Sequence, residues 1–248
     1  MFGRSRVSGP LLAILLLQVW PAAADDTSQQ RAAYDTTRLR LDDIRSDLVR
    51  RYGTAGDTAQ RSKLLAEGRR AVLRTLTETF FPAWRGTRWS YNGVSRVPGR
   101  GSIACGAFVV FTLQDAGFRV PWRMLRQPSE NIIKNLVPAE TIHRYANARP
   151  VPDVVADIRR EGDGLYMVGL DYHVGFLVNR GGVVTFWHST VFEPGRVVGQ
   201  PADEFSPFTE SRYRVVGKLL GDGMMHKWLE DEEFAVTHDY FKRRRSRP

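Results

Sequence analysis

Apolar positions in the first third of the chain recur at helical spacing. Between residues 29 and 52, Tyr34, Leu41, Ile44, Leu48 and Tyr52 fall three, four and seven apart with charges elsewhere, which predicts an amphipathic helix. Gly53 and Gly56 end it. Asp57 or Thr58 caps a second helix, with Leu65, Val72, Leu76 and Phe80 on one stripe and Pro82 as its expected stop. The pair reads as an antiparallel hairpin that packs on the rest of the protein, because two isolated helices are marginal alone.

The pattern breaks at residues 84 to 101, WRGTRWSYNGVSRVPGRG, whose Gly, Ser, Asn, Arg and aromatic content predicts an ordered loop. The next stretch, GSIACGAFVVFTLQDAGF at 101 to 118, is apolar round most of its circumference and reads as a central buried helix. Ser102 is its expected cap, Phe108, Val109, Phe111 and Thr112 its packed body, and Gly117 its stop after about Ala116. Short helical pieces are expected at ENIIKNL after Ser129, at Ala139 to Tyr145, and from Pro152 and Asp153 into VVADIRR.

Beyond Gly162 the texture changes to strands at 165 to 170, 172 to 178 and 183 to 190, with NRGG at 179 to 182 as a hairpin turn and 212 to 220 as a further strand. A short helix from Met224 and a frayed tail close the chain. Helices first and strands afterwards predict an α+β fold with an antiparallel sheet packed against the central helix. The expected divisions are a leader at 1–24, the helical hairpin at 25–83, a main domain at 84–222 and a C-terminal extension at 223–248.

Composition adds a compartment. Of 248 residues, 42% are hydrophobic and 25% charged, as in a soluble globular protein. Arg4 and Arg6, the apolar run from Leu11 to Trp20 and the Ala22-Ala23-Ala24 site form a secretory signal, too short in its apolar part to span a bilayer. An exported chain, periplasmic or secreted and without a transmembrane segment after cleavage, is expected. The net charge of +9 suits anionic partners without choosing among them, and the final KRRRSR, lacking aromatic interleaving, reads as a solvated tail; no nucleic-acid partner is expected. Oligomeric state is left open.

Cys105 is the only cysteine. In an oxidising compartment it has no intramolecular disulfide partner, so it is either a small buried hydrophobe or a reactive thiol. A thiol is a nucleophile as thiolate, which a helix N-terminus and a nearby imidazolium both favour. Cys105 lies at the first turn of its predicted helix. His173 and His188 lie on strands joined by the NRGG turn, where one ring can take the thiol proton and the other orient it. His143, in an expected surface helix, and His226 and His238, near the tail, read as structural. The two strand histidines and the cysteine lack the short spacing of zinc motifs, and no dinucleotide or phosphate loop is present, so neither metal nor cofactor is expected.

The order GSIACGAFVVFTLQDAGF, EGDGLYMVGL, YHVGFLV and FWHST resembles the NlpC superfamily of papain-like cysteine peptidases and amidases, over roughly residues 84 to 190. The resemblance implies a papain-like NlpC fold, Cys105 as nucleophile, His173 as general base and acid, and His188 as the third member. Gly162 and Asp163 look like that family's turn into the sheet, and WSYNG at 89 to 93 like its cleft loop. Trp89, Tyr91, Ser102 and Tyr172 are the corresponding candidates for substrate contact. The chain departs from the family pattern in reading Ala104-Cys105-Gly106-Ala107 where Asp-Cys-Ser-Gly is usual, and in placing Trp89 where a tyrosine is familiar. The resemblance implies a cell-wall hydrolase acting on the stem peptides of peptidoglycan. A deamidase, acyltransferase or effector-type thiol hydrolase on another substrate, and a non-catalytic envelope protein on the same fold, remain open alternatives.

Overall fold

The structure is a computed structural model that describes residues 24–241. The expected leader, apart from Ala24, and the basic tail lie outside the described residues. Helix α1 (Ala24–Gly53) turns back into α2 (Thr58–Arg74), whose N-cap is Asp57, with its carboxylate accepting from the Gln60 N–H at 2.7 Å. Pro82 does not stop this helix. One π-helical turn, Thr75–Phe80, carries the chain into α3 (Phe81–Trp84), and the Phe81 N–H donates five residues back to Leu76. That widened turn shifts the hydrogen-bond register, so Pro82, which has no N–H, opens a new helical segment. Phe80, Phe81 and Trp84 are completely buried, and their packing holds the irregular turn.

The expected loop follows and contains β1 (Arg88–Trp89), paired in parallel with β2 (Ser102–Ile103). The central helix α4 (Cys105–Asp115) comes next and ends as expected at Gly117, which has a φ of 88°. A short 3₁₀ turn at Trp122–Arg126 leads to α5 (Ser129–Leu136). Residues 139 to 145 correct the helical expectation: after a 3₁₀ turn at Ala139–Thr141 they form β3 (Ile142–Tyr145). Ile142 and Tyr145 are its buried ends and the edge of a sheet is its partner, contacts a short window could not reveal.

After α6 (Val151–Arg160) come β4 (Gly164–Leu170), β5 (Val174–Arg180), β6 (Val183–Ser189) and β7 (Val197–Pro201), the last not anticipated. A four-residue helix α7 (Pro207–Glu210), β8 (Arg214–Lys218) and α8 (Asp222–Leu229) complete the order. The six-stranded sheet is antiparallel throughout, in the order β3-β8-β4-β5-β6-β7. Gly181 and Gly182, with φ of 57° and 80°, make the hairpin turn that NRGG predicts.

The sheet is covered on both faces, which is why its strands read as apolar runs without clean alternation. Leu165, Met167, Val174, Phe176, Trp187 and Val215 join α4, α5 and the helical hairpin in one core. Their alternates Tyr166, Val168, Leu177, Phe186 and Val216 pack with Val154, Val155 and Ile158 of α6 in a second. The hairpin contributes Tyr34, Leu41, Leu48, Leu65 and Val72 to the first core. The Tyr34 hydroxyl also donates to the buried Asp115 carboxylate of α4 at 2.6 Å, so the hairpin packs against the remainder as its stripes require.

Candidate active site at the end of the sheet

Cys105 is the first residue of α4. The preceding Ala104 is extended and supplies no side-chain cap, and Ser102, the expected cap, is held in β2 instead. Two contacts fix the approach to the helix: Ser189 Oγ donates to the Ile103 carbonyl at 2.7 Å, and the Ala104 N–H donates to the Gly93 carbonyl at 2.9 Å. Gly106 lets the Trp122–Arg126 turn close in, since a Cβ there would lie 2.7 Å from the Leu125 carbonyl oxygen. The thiol is half-buried. Burial pushes its pKa up from the ordinary value, opposed by backbone N–H groups of Val174, Gly106 and Cys105 itself directed at the sulfur.

The two candidate histidines meet, His188 from within β6 and His173 from the residue just before β5, which begins at Val174 and not at 172 as expected. His173 Nε2 lies 3.0 Å from His188 Nδ1, with the rings nearly perpendicular. His188 Nε2 in turn lies 3.3 Å from Gln200 Oε1, while Gln200 Nε2 donates to the Phe205 carbonyl at 3.0 Å. This chain decides where the protons are. Because the Gln200 amide group is spent on a carbonyl, its oxygen faces His188, so His188 Nε2 carries the hydrogen and Nδ1 is the acceptor. His173 Nε2 must then donate to that acceptor, which leaves His173 Nδ1 with a free lone pair.

Both rings are neutral. Burial holds His188 down to about 4, with the Gln200 contact opposing; burial and then the neighbouring His188 hold His173 well below the ordinary histidine range. His188 is fully buried and stacks on Phe186 with ring centroids 4.0 Å apart. Gly175 makes room for that stack: a Cβ there would meet Phe186 at 2.6 Å and His188 Cβ at 2.9 Å.

Alternation along the strands gives thiol and rings different surroundings. Val174, Phe176 and Trp187 face the core that Cys105 packs against, whereas Phe186, beside both imidazoles, belongs to the second core. The two groups adjoin at Val174, whose N–H is directed at the sulfur and whose chain neighbour is His173. Among the described residues no hydrogen bond joins Cys105 to His173. The imidazolium expected from sequence as the activator of the thiol is a neutral imidazole in this resting arrangement.

The other expected site residues border the same end of the sheet. Trp89 is half-buried, paired opposite Ile103 and donating its N–H to the Gly195 carbonyl at 2.9 Å. Ser102 is half-buried in β2, while Tyr91 and Tyr172 project into solvent. Gly162 and Asp163 do form the turn into β4: the Gly162 carbonyl accepts from Tyr166 and Asn179, and the Asp163 carboxylate accepts from the Gly181 N–H. His143 lies on β3, not on a helix, with Nε2 2.6 Å from Glu161, and His226 Nδ1 is 3.2 Å from the Tyr52 hydroxyl. Sequence reasoning missed Gln200, because the strand that carries it, VVGQP, is short and ends in proline.

Among the described residues, no group of three or more His, Cys, Asp or Glu side chains converges as metal ligands would, and no helix is long and apolar enough to cross a membrane. Comparison with protein-family models, curated proteins and solved structures finds no match to this chain. The class that the fold defines is a mixed α+β protein with an antiparallel six-stranded sheet.

Proposed function

We propose that the protein is an exported cysteine amidase or peptidase of the NlpC type, with Cys105 as nucleophile, His173 as general base and acid, and His188 with Gln200 as the orienting pair. The observation that carries this reading is the Gln200–His188–His173 chain, which leaves one unprotonated nitrogen, His173 Nδ1, on the residue just before Val174, whose N–H is directed at the thiol. A chain of polar side chains centred on the fully buried His188 is costly to build unless each member is satisfied, and this one ends in a proton acceptor.

With thiol and imidazole both neutral at rest, the base acts as the bond forms. Substrate binding brings Nδ1 and the thiol together, in the way resting sites tighten in their complexes. Nδ1 takes the thiol proton as sulfur attacks the amide carbon, and the oxyanion is stabilised by N–H groups at the start of α4. The proton then passes from His173 to the departing amine, the C–N bond breaks, and water hydrolyses the thioester to restore the thiol. The peptide stems of peptidoglycan are the substrate that the resemblance favours.

Mass spectrometry of muropeptides after incubation of purified wall with wild type, Cys105→Ala and His173→Ala tests the reading. Cleavage is expected from wild type alone. Cleavage of small amides or acyl donors, with wall untouched, moves the substrate to the deamidase or acyltransferase alternative. Wild type and Cys105→Ala identical on wall and on that panel leave the non-catalytic envelope protein as the reading.

A further inference from the structure

The segment from Arg85 to Pro128, which forms the loop before α4, α4 itself and the 3₁₀ turn packed on it, contains seven arginines and one carboxylate, Asp115. Asp115 is buried and already occupied by Tyr34, Arg96 and Arg38. Arg88, Arg100, Arg123 and Arg126 are exposed and form no ion pair among the described residues. They flank the start of α4 on both sides, the first two beside β2 and the others on the turn that abuts Gly106.

Large apolar side chains project from the same region. Tyr91 is 81% exposed, Val94 62%, Trp122 66% and Tyr172 98%. Each is tied to the site: Val94 bridges to Ile103, Trp122 opens the turn against Gly106, and Tyr172 precedes His173. Exposed aromatic and aliphatic groups interspersed with these exposed arginines match a membrane interface, where rings enter the headgroup layer and guanidinium groups meet lipid phosphate. A soluble anionic polymer would account for the arginines and leave Val94 without a role. The carboxylates Glu193, Asp203 and Glu204 border this region on its β7 side, Asp239 is buried against the turn and accepts from the Gln127 amide, and Asp171 accepts from the Arg212 N–H.

We propose that this end of the molecule docks on an anionic phospholipid surface, with the start of α4 turned toward the lipid headgroups. The inference goes beyond the acyl-transfer reading and does not depend on it, since binding is expected to be the same for Cys105→Ala.

The test uses the full chain with vesicles of phosphatidylcholine, with and without phosphatidylglycerol, read by co-sedimentation and by hydrogen exchange. Phosphatidylglycerol is expected to protect amides of residues 122–127 and 171–173, and to do so in all variants that bind. Removing cationic charge by Arg123→Gln with Arg126→Gln is expected to weaken partitioning about fivefold per arginine, at about 1 kcal/mol for each. Trp122→Ser with Tyr172→Ser is expected to weaken it as well, while Leu39→Ser with Val49→Ser on the exposed side of α1 leaves it within about twofold by the same scale. The leader is common to all these chains, so the difference between variants isolates the patch, and matching circular dichroism excludes misfolding. Equal protection on vesicles lacking phosphatidylglycerol, no protection of those segments, or sedimentation with purified peptidoglycan but not with vesicles overturns the proposal. None of these outcomes bears on whether Cys105 is a nucleophile.

Discussion

The buried His188 makes stability depend on pH in a way that can be isolated. Its pKa is held down to about 4 in the folded protein against an ordinary value of 6.5. A depressed histidine is neutral when folded and takes a proton more readily when unfolded, so the native state is fully favoured above pH 6.5 and loses stability as pH falls toward 4. At about 1.36 kcal/mol per unit, the loss between pH 7.5 and pH 4 comes to about 3 kcal/mol, a large share of the roughly 5–15 kcal/mol that stabilises a domain. Urea unfolding followed by far-ultraviolet circular dichroism at pH 7.5, 5 and 4, for wild type and His188→Gln, measures it. Glutamine retains an acceptor for His173 and removes the titration, and groups other than His173, whose own depression comes mainly from burial and in part from His188, contribute alike to both curves. Wild type is expected to lose about 3 kcal/mol more than the variant over this range. Parallel pH dependences would refute the burial argument, and with it the neutral state of the ring.

The remaining predictions test the proton chain and its supports. If the proposed activity is present, kcat/KM keeps its value below the ordinary histidine range, because the base must be neutral and His173 is held well below it; an acid limb centred at or above pH 6.5 contradicts this. Gln200→Leu removes the acceptor for His188 Nε2–H and is expected to cost about 1–3 kcal/mol in chemical denaturation, since a buried donor is left unpaired. Gly175→Ala drives a methyl into the Phe186–His188 stack and is expected to cost roughly 1–3 kcal/mol as overpacking, seen as a lower thermal midpoint. Tyr34→Phe deprives the buried Asp115 of its 2.6 Å donor, and an unfolding free energy unchanged within about 0.5 kcal/mol would show that Arg96 and Arg38 suffice.

The elements that were legible were those with strong local signals. The long amphipathic repeat gave α1 and α2, the Asp57 cap and the Gly117 stop were correctly placed, and the NRGG turn joined β5 to β6. Pro82 misled because its effect depends on the hydrogen-bond register around it, and the π turn supplies a register in which its missing N–H does no harm. Residues 142 to 145 misled because an edge strand takes its identity from its neighbour β8, whose paired residues, 214 to 217, are distant in the chain. The pairing of His173 with His188 was legible because a tight hairpin forces nearby positions together. Gln200 was not, since it reaches His188 only through the lateral pairing of β6 with β7.

By itself, the sequence determined an α+β protein with a cysteine at the start of a buried helix and two histidines brought to one place by a hairpin. Those properties follow from periodicity, capping residues and turn chemistry, which act over a few residues. Tertiary structure alone decided the ionisation of that group. Burial holds both imidazoles neutral and pushes the thiol toward its protonated form, and Gln200 selects the tautomer that leaves His173 Nδ1 free. Desolvation depends on everything packed around a group, and the segments packed here come from distant parts of the chain.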